Sequence, residues 1–443
     1  MSDNKMRQAA LSSQFALNSL IVYRELLDDS IIIELKKFID YTAGEGQPGQ
    51  AIGYLSGFYG KLLGISPTFS LKDYIIDKIR YSENPYSLAL EAGDKNTAKH
   101  LETAVCHDLD MLKEVLDRFE ELTGQIIETQ LQNYEKLSSW AKKINSGNLS
   151  SNSDKLSESF NKSIRWSSCI ADLENHYSSM GCGIFARFNA LTWENCMGKS
   201  SLRGISQSDP VKLSDLIGYQ EERSSVIENT LQLLNGYPAN NVLLYGDRGT
   251  GKSSTVKAIL NEYSNAGLRL IELPKKHLSD FAAVLNLLRN RKFRFIIFVD
   301  DLAFEDNEEE YTALKAILEG GVESKPENVV IYATSNRRHL VKEKFSDRSG
   351  LSSGSADDEV RSADTLQEKL SLSDRFGITA VFSSPDKEHY LKIVEGIIEK
   401  RGLKVDSEYL KKEALKWELW YNGRSPRTAR QFVDWLEGKD KGN

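Results

Sequence analysis

Five short runs of large apolar residues recur along the second half of the chain, and segments with helical spacing separate most of them. Four of the runs are almost continuously apolar, which is typical of strands buried on both faces of a sheet. Strands that alternate with helices favour a parallel sheet. The runs are NVLLYG, LRLIEL, FRFIIFVDD, VVIYATSN and ITAVF. The sequence therefore predicts an α/β domain over residues 210–384, followed by a small unit of three helices over residues 385–443.

The first part of the chain has a different pattern. Apolar residues recur every three or four positions, as in Ile21–Ile39 and Leu101–Trp140, so residues 1–145 are predicted to form an all-α domain. Residues 146–163 are rich in Ser and Asn and poor in large apolar side chains, which predicts a linker. Residues 164–209, with the stretch CGIFARFNALTWEN, are predicted to connect the two domains and to pack against the second.

Composition and charge exclude several classes of protein. The chain has 443 residues, 40% of them hydrophobic, which is enough for a sizeable core. The net charge of −7 disfavours a protein dedicated to coating nucleic acid, although a local basic groove stays compatible with it. The four Cys form no CxxC pair, so neither a zinc knuckle nor a disulfide framework is predicted. With no signal pattern and no apolar run of membrane-spanning length, we expect a cytoplasmic protein.

A glycine-rich loop ending in lysine directly follows the first apolar run. The sequence GDRGTGKS matches the phosphate-binding pattern G-x-x-x-x-G-K-[ST]. Its glycines let backbone N–H groups turn toward phosphate oxygens, and the next helix adds the positive end of its dipole. Lys252 is expected to reach the β- and γ-phosphates of a nucleotide, and the Ser253 hydroxyl to bind Mg²⁺. The residues predicted to bind the nucleotide here are Gly246, Asp247, Arg248, Gly249, Thr250, Gly251, Lys252, Ser253 and Ser254. A glycine-rich turn with a surface lysine is the alternative, which the strand–loop–helix context disfavours.

Polar side chains also follow two later apolar runs. Asp300 and Asp301 end the run FIIFV, where a carboxylate can hold Mg²⁺ and a second one can orient or deprotonate the attacking water. We expect Asp300 to bind Mg²⁺ and Asp301 to orient or deprotonate the water. Glu305 and Glu308 are alternative candidates for the role of Asp301. Asn336 ends the run VVIYATS and could reach the γ-phosphate or the water; an asparagine that starts a turn is the simpler explanation.

Five motifs in this order resemble those of AAA+ ATPases: GDRGTGKSS, IIFVDD, YATSN, LSDRFG and SPRTARQF. They resemble more closely a bacterial family of predicted AAA+ ATPases of unknown function. The similarity covers residues 200–440, whereas the first 190 residues match much less recognisably. It implies an α/β P-loop NTPase fold with a five-stranded parallel sheet and a helical lid, and it implies ATP binding and hydrolysis with Mg²⁺.

The resemblance also implies roles for individual residues. Asn336 matches the sensor of the γ-phosphate, and Arg375 matches the arginine finger that reaches the ATP of a neighbouring subunit. Arg427 matches the lid arginine, with Arg424 as a close competitor. Asp301 departs from the glutamate that is usual in the superfamily, so its carboxylate lies about one methylene further back. Three residues match the stretch that contacts adenine, namely Ile217, Gly218 and Tyr219.

These features predict an ATPase that changes the conformation of a partner or of its own assembly. Two alternatives stay open: a nucleotide-gated switch or scaffold with little turnover, and a loader or initiator ATPase acting on nucleic acid. We expect a homo-oligomer, as a ring or partial ring, and a protein partner bound through the helical N-terminal domain. The basic clusters at 289–294 and 336–339 are compatible with nucleic acid but more typical of solvated loops. The polar segment 342–369 is expected to be a disordered insertion or a partner-binding loop.

Overall fold

The chain divides into two compact units, Met1–Arg187 and Phe188–Asn443. They are seen in a computed structural model that describes most of both units. The described residues are 2–44, 48–65, 70–130, 154–196, 198–302, 314, 315, 318, 325–336, 375–421 and 423–441.

The first unit is built from helices packed around one apolar core. Local signals fix where its helices begin. Asp29 caps the second helix by accepting from two backbone N–H groups, and Ser70 forms a reciprocal capping box with Asp73. Pro85 starts the fifth helix directly after the capping Asn84. The helices are α1 (Ser2–Asn18), α2 (Ser30–Ala43), α3 (Pro48–Ile65), α4 (Leu71–Arg80), α5 (Pro85–Ala92), α6 (Lys95–Gln130), α7 (Lys155–Lys162), α8 (Ile170–Met180) and α9 (Gly183–Arg187).

The end of the predicted linker forms part of this unit. Residues 146–153 lie outside the described residues, but residues 155–162 form α7, whose Leu156 and Phe160 are buried one helical turn apart. Trp166 packs edge-to-face against Phe160, with ring centroids 5.0 Å apart, and its indole N–H donates to the Phe160 carbonyl over 3.1 Å. The predicted connecting segment 164–209 is therefore divided, because its first part up to Arg187 belongs to the helical unit.

The second unit contains a seven-stranded sheet in the order β2-β1-β4-β5-β6-β3-β7. The five predicted strands form its parallel part, and β1 adds a further parallel strand beside β4. Strand β2 pairs antiparallel with β1 at the edge. Both extra strands come from the segment that was expected to connect the domains and to pack against the second. The strands are β1 (Ala190–Cys196), β2 (Lys199–Gly204), β3 (Val242–Gly246), β4 (Leu268–Glu272), β5 (Arg294–Val299), β6 (Val329–Ser335) and β7 (Ile378–Phe382).

Six α-helices of the second unit have bounds within the described residues, and the last three follow its final strand. One buried core joins strand residues such as Val242 and Ile296 to Val256 of the loop-following helix and to Ile393 and Phe432 of the last three helices. The predicted architecture is confirmed: a mostly parallel α/β sheet followed by three helices, which we call the lid, and an all-α first unit, with two strands more than the expected five. The helices are α10 (Gln220–Leu234), α11 (Lys252–Tyr263), α12 (Phe281–Leu288), α13 (Lys387–Arg401), α14 (Ser407–Trp420) and α15 (Pro426–Lys441).

Within the described part of the chain, no helix combines the length and the apolar character that crossing a membrane requires.

Candidate functional site

The loop between β3 and α11 has a backbone that only glycine adopts readily at three positions. Gly246, Gly249 and Gly251 have φ values of 139°, 79° and 97°. A Cβ on Gly246 would lie 2.0 Å from the Phe382 carbonyl oxygen of β7, so a side chain has no room there. The loop therefore turns tightly against the end of β7 and delivers the start of α11 to the carboxyl edge of the parallel strands, where α/β proteins bind ligands.

Lys252, the first residue of α11, folds back over this loop. Its Nζ donates to the carbonyl oxygens of Gly246 and Asp247, each at 2.7 Å, and to the Asn336 Oδ1 at 3.1 Å. The side chain is only 6% exposed, and burial lowers its pKa to about 8 even though Asp247 and two other nearby carboxylates favour the charged form. Lys252 makes no salt bridge with any residue that the structure describes. A buried ammonium without an ion pair is costly, and an incoming anion would offset that cost.

Asp300, at the end of β5, lies beside the start of α11. Its Oδ1 accepts from the Ser253 hydroxyl at 2.7 Å and from the Thr334 hydroxyl at 2.6 Å. Hydroxyl and carboxylate oxygens are the ligands that Mg²⁺ prefers in proteins. The predicted metal pair therefore lies together at one edge of the sheet.

Asp301 is adjacent to both the lysine and the metal pair. It has a left-handed backbone, with φ of 51°, which non-glycine residues rarely adopt outside special sites. Its carboxylate accepts from the Asn336 amide at 2.7 Å, and the oxygen of that amide accepts from Lys252. Asn336 thus bridges the loop lysine to the carboxylate that was predicted to activate water.

The lid contacts the loop through the start of α15. The Arg427 backbone N–H donates to the Gly249 carbonyl at 3.1 Å, and a Cβ on Gly249 would come within 3.1 Å of Arg427 and Ser425. Arg424, the competitor of Arg427, instead pairs at 2.6 Å with the buried Glu418. The geometry therefore places Arg427, and not Arg424, against the glycine-rich loop.

These groups enclose a cavity of about 480 Å³. The predicted site residues that line it are Arg248, Gly249, Gly251, Lys252, Ser253, Ser254, Asp300, Asp301, Asn336 and Arg427. The sequence analysis missed four further lining residues, Leu216, Thr334, Pro426 and Arg430. Two of them could have been found by periodicity: Arg430 follows Arg427 by one helical turn, and Thr334 shares a strand face with Asn336.

Other predicted residues lie around the cavity without lining it. Asp247 is held by the segment that follows β7, because its carboxylate accepts from the Ser384 backbone N–H at 2.8 Å. Hydrogen bonds from the Ser384 side chain and from this N–H lower the pKa of Asp247. Thr250 is buried and closes the loop through a 2.8 Å bond to the Asp247 carbonyl. Gly246 forms the base of the loop at the end of β3.

The three predicted adenine contacts pack against the lid helix α13. Tyr219 lies 5.3 Å from Phe382 and 5.1 Å from His389 between ring centroids. A Cβ on Gly218 would meet His389 at 2.7 Å, and Ile217 reaches within 2.8 Å of where a Cβ on Gly396 would stand. Their neighbour Leu216 is the residue of this stretch that lines the cavity.

Arg375, the predicted arginine finger, is exposed and lies three residues before β7. It does not line this cavity. The rival carboxylates Glu305 and Glu308, the basic residues 337–339 and the polar segment 342–369 lie outside the described residues.

Comparison with known proteins gives one matching family and a weak similarity to solved structures. No curated protein matches the chain. Two solved structures of RuvB from Thermotoga maritima are similar to about half of it. One, a point mutant, is 18% identical with a TM-score of 0.33. The match covers 50% of this chain and 62% of the mutant's chain, so this chain spans less than two thirds of that protein. The other, described as a Holliday junction branch migration motor, is 15% identical with a TM-score of 0.32, and the match covers 51% of this chain and 72% of that structure's chain.

The model of one protein family matches residues 186–440, which is more than half of the chain. The chain therefore belongs to the family described as "Protein of unknown function (DUF815)".

Proposed function

We propose that this chain binds Mg-ATP in the cavity at the end of β3 and hydrolyses it to change the conformation of a partner or of its own assembly. The observation that carries the proposal is the buried Lys252, which has no ion pair among the described residues and lies beside two carboxylates and a glycine-rich helix start. Such a cluster suits a polyphosphate with a divalent cation, because the anion compensates the lysine and the cation compensates the carboxylates.

Five residues at the cavity then have distinct roles in the proposed reaction. Lys252 and the backbone N–H groups at the start of α11 bind the β- and γ-phosphates. Ser253 and Asp300 would hold Mg²⁺, which when bound neutralises charge that develops on the transferring phosphoryl group. Asp301 orients the attacking water and accepts its proton, while Asn336 holds the Asp301 carboxylate in place.

Cationic side chains complete the site around the γ-phosphate. Arg427 approaches it from the lid, and Arg430, one turn further along α15, lines the same cavity. Arg375 would reach the nucleotide of a neighbouring copy in a homo-oligomer, since it does not line the cavity of its own chain. The helical first unit is the proposed contact for a protein partner, and cytoplasmic location stays an expectation of the sequence.

The test is ATP binding by the Lys252→Ala variant, measured by titration calorimetry. Loss of a charge-assisted contact to phosphate costs about 1.5–3 kcal/mol, so the affinity should fall at least about tenfold. Lys257→Ala is the matched control, because Lys257 is on the same helix but faces Asp209 at 3.8 Å, outside this cavity. Equal ATP affinity of the wild-type and Lys252→Ala proteins would refute the assignment of the loop.

A nucleotide-gated switch with little turnover is the second candidate. It is favoured by Asp301, whose side chain is one methylene shorter than the glutamate that is usual in the superfamily that the motifs resemble. Steady-state turnover separates the two: an ATPase turns over at about 1 s⁻¹ or faster, as phosphoryl-transfer enzymes do, whereas a switch binds ATP and barely hydrolyses it. Stimulation by added DNA would instead support a loader acting on nucleic acid.

A further inference from the structure

Thr334 carries a buried hydroxyl at the centre of the candidate site, and it lies within the motif YATSN without a role assigned to it by the sequence analysis. It is 2% exposed and lies near the end of β6, paired in register with Leu244 of β3. Because side chains alternate along a strand, Thr334 shares a face with Asn336 two residues later. It is placed between the strand that leads into the phosphate-binding loop and the strand that ends in the two carboxylates.

The Thr334 hydroxyl bonds to both of those acidic residues. It donates to the Asp300 Oδ1 at 2.6 Å and accepts from the Asp301 backbone N–H at 2.9 Å. Its own carbonyl oxygen accepts from the Leu302 N–H at 2.6 Å. One residue therefore fixes the carboxylate of Asp300 and the two peptide groups that flank the left-handed Asp301.

The arrangement also decides which Asp300 oxygen is engaged. Three groups donate to Oδ1, namely the Ser253 hydroxyl, the Thr334 hydroxyl and the Asp301 N–H, and in these bonds none of them donates to Oδ2. When the Ser253 hydroxyl turns to a cation, Thr334 and the Asp301 N–H still hold the carboxylate. Without the Thr334 hydroxyl, Asp300 would lose one of its fixed donors and the Asp301 N–H would lose an acceptor.

We propose that Thr334 is a positioning residue that orients Asp300 for the divalent cation and holds the backbone of Asp301 for its role at the attacking water. This inference rests on the proposed function. The inference predicts different effects on cation binding and on nucleotide binding, because Thr334 bonds to neither Lys252 nor the glycine-rich loop in the hydrogen bonds described above. Loss of its hydroxyl should therefore weaken the cation site and leave the phosphate cradle intact.

The experiment uses the full-length Thr334→Val variant, which keeps the shape of the side chain and removes the hydroxyl. Mn²⁺ is the probe, and its affinity for protein loaded with a non-hydrolysable ATP analogue is measured by EPR. We expect Mn²⁺ affinity to fall about tenfold or more, as loss of a hydrogen bond to a charged group predicts. Affinity for the analogue in EDTA should stay within about twofold of wild type, and kcat should fall more than KM changes.

Two further variants separate positioning from general stability. Thr334→Ser retains the hydroxyl and should restore Mn²⁺ affinity and kcat. Thr230→Val removes another buried and hydrogen-bonded threonine hydroxyl, on α10 against Tyr332, and should lower the unfolding temperature without altering Mn²⁺ affinity. If Thr334→Val does not fold, Thr334→Ala is measured in the same way with the same expectation.

The outcomes for Thr334 and for the proposed function are distinct. Wild-type Mn²⁺ affinity in the Thr334→Val or Thr334→Ala protein would overturn the positioning role while ATP binding stood. An equal loss in Thr334→Val and Thr230→Val would overturn it too, because the effect would then be one of stability. Wild-type protein that binds no nucleotide in EDTA or Mg²⁺ would instead refute the proposed function itself.

Discussion

Lys252 sets the pH range over which the site can bind a polyphosphate. Burial lowers its pKa to about 8, and bound phosphates would favour the charged form and raise that pKa. ATP affinity should therefore be constant below pH 8 and fall by up to about tenfold per pH unit above it, with proton uptake on binding in that range. Calorimetry between pH 7 and pH 9.5 in buffers of different ionisation enthalpy measures both quantities. The Lys252→Arg variant keeps its charge and should show no such decline; a flat profile for wild type would contradict the expectation.

Sequence reasoning identified most of the residues that lie together in the cavity, because motif residues sit at the ends of strands. The loop, Asp300 and Asn336 each follow an apolar run, and parallel strands bring such ends to one edge. Thr334 and Arg430 lie within the motifs YATSN and SPRTARQF but were missed, because the roles carried over from the motifs fell on Asn336 and Arg427 and the residues at matching spacing were not considered. The adenine contacts were assigned by resemblance, and the structure brings Leu216 to the cavity instead of Ile217, Gly218 and Tyr219.

The glycine-rich loop depends on β7 as much as on β3, the strand that leads into it. Gly246→Ala places a Cβ against the backbone of β7 in a conformation that suits only glycine. We expect it to lower the free energy of unfolding of the second unit by about 2–5 kcal/mol. Urea unfolding followed by circular dichroism measures the change.

The matched control for Gly246→Ala is Gly438→Ala. Gly438 lies within α15 and a Cβ there meets no atom within 4 Å, so alanine should stabilise the unit by about 0.5–1 kcal/mol. If both variants unfold at the same urea concentration, β7 does not constrain the loop.

Strands β1 and β2 were not predicted from the sequence. The run ALTWENC of β1 mixes polar and apolar residues, so it lacks the continuous apolar signal of the central strands. Helix α7 was missed for a related reason: its Ser-rich composition indicates a linker, and only the spacing of Leu156 and Phe160 reveals the buried face. Composition is an average, whereas two well-placed apolar side chains are enough to attach a short helix to a core.

For the whole molecule, the proposed oligomer makes a prediction about mixing. Arg375 does not line the cavity of its own chain, and a finger supplied by a neighbour is worth about 10³–10⁵ in rate in related systems. ATPase activity per chain should rise with protein concentration, and Arg375→Ala should bind ATP without hydrolysing it. Mixing Arg375→Ala with Lys252→Ala protein should restore part of the activity, because some interfaces then combine an intact lysine with an intact arginine. Turnover that is independent of concentration, with no rescue on mixing, would show that one chain suffices.

The position of β3 between β6 and β7 has a consequence for how the protein is made. Both neighbours of β3 are encoded later in the chain, and the β7 carbonyl that bonds to the Asp247 N–H follows it by roughly 140 residues, about 7–30 s of translation at typical rates. The nascent chain therefore carries β3 with both edges unpaired until β6 is made, and with the edge toward β7 unpaired for the whole interval. Ribosome stalling just before residue 378 should leave this edge of β3 exposed to chaperones and the phosphate-binding loop without its contact to β7.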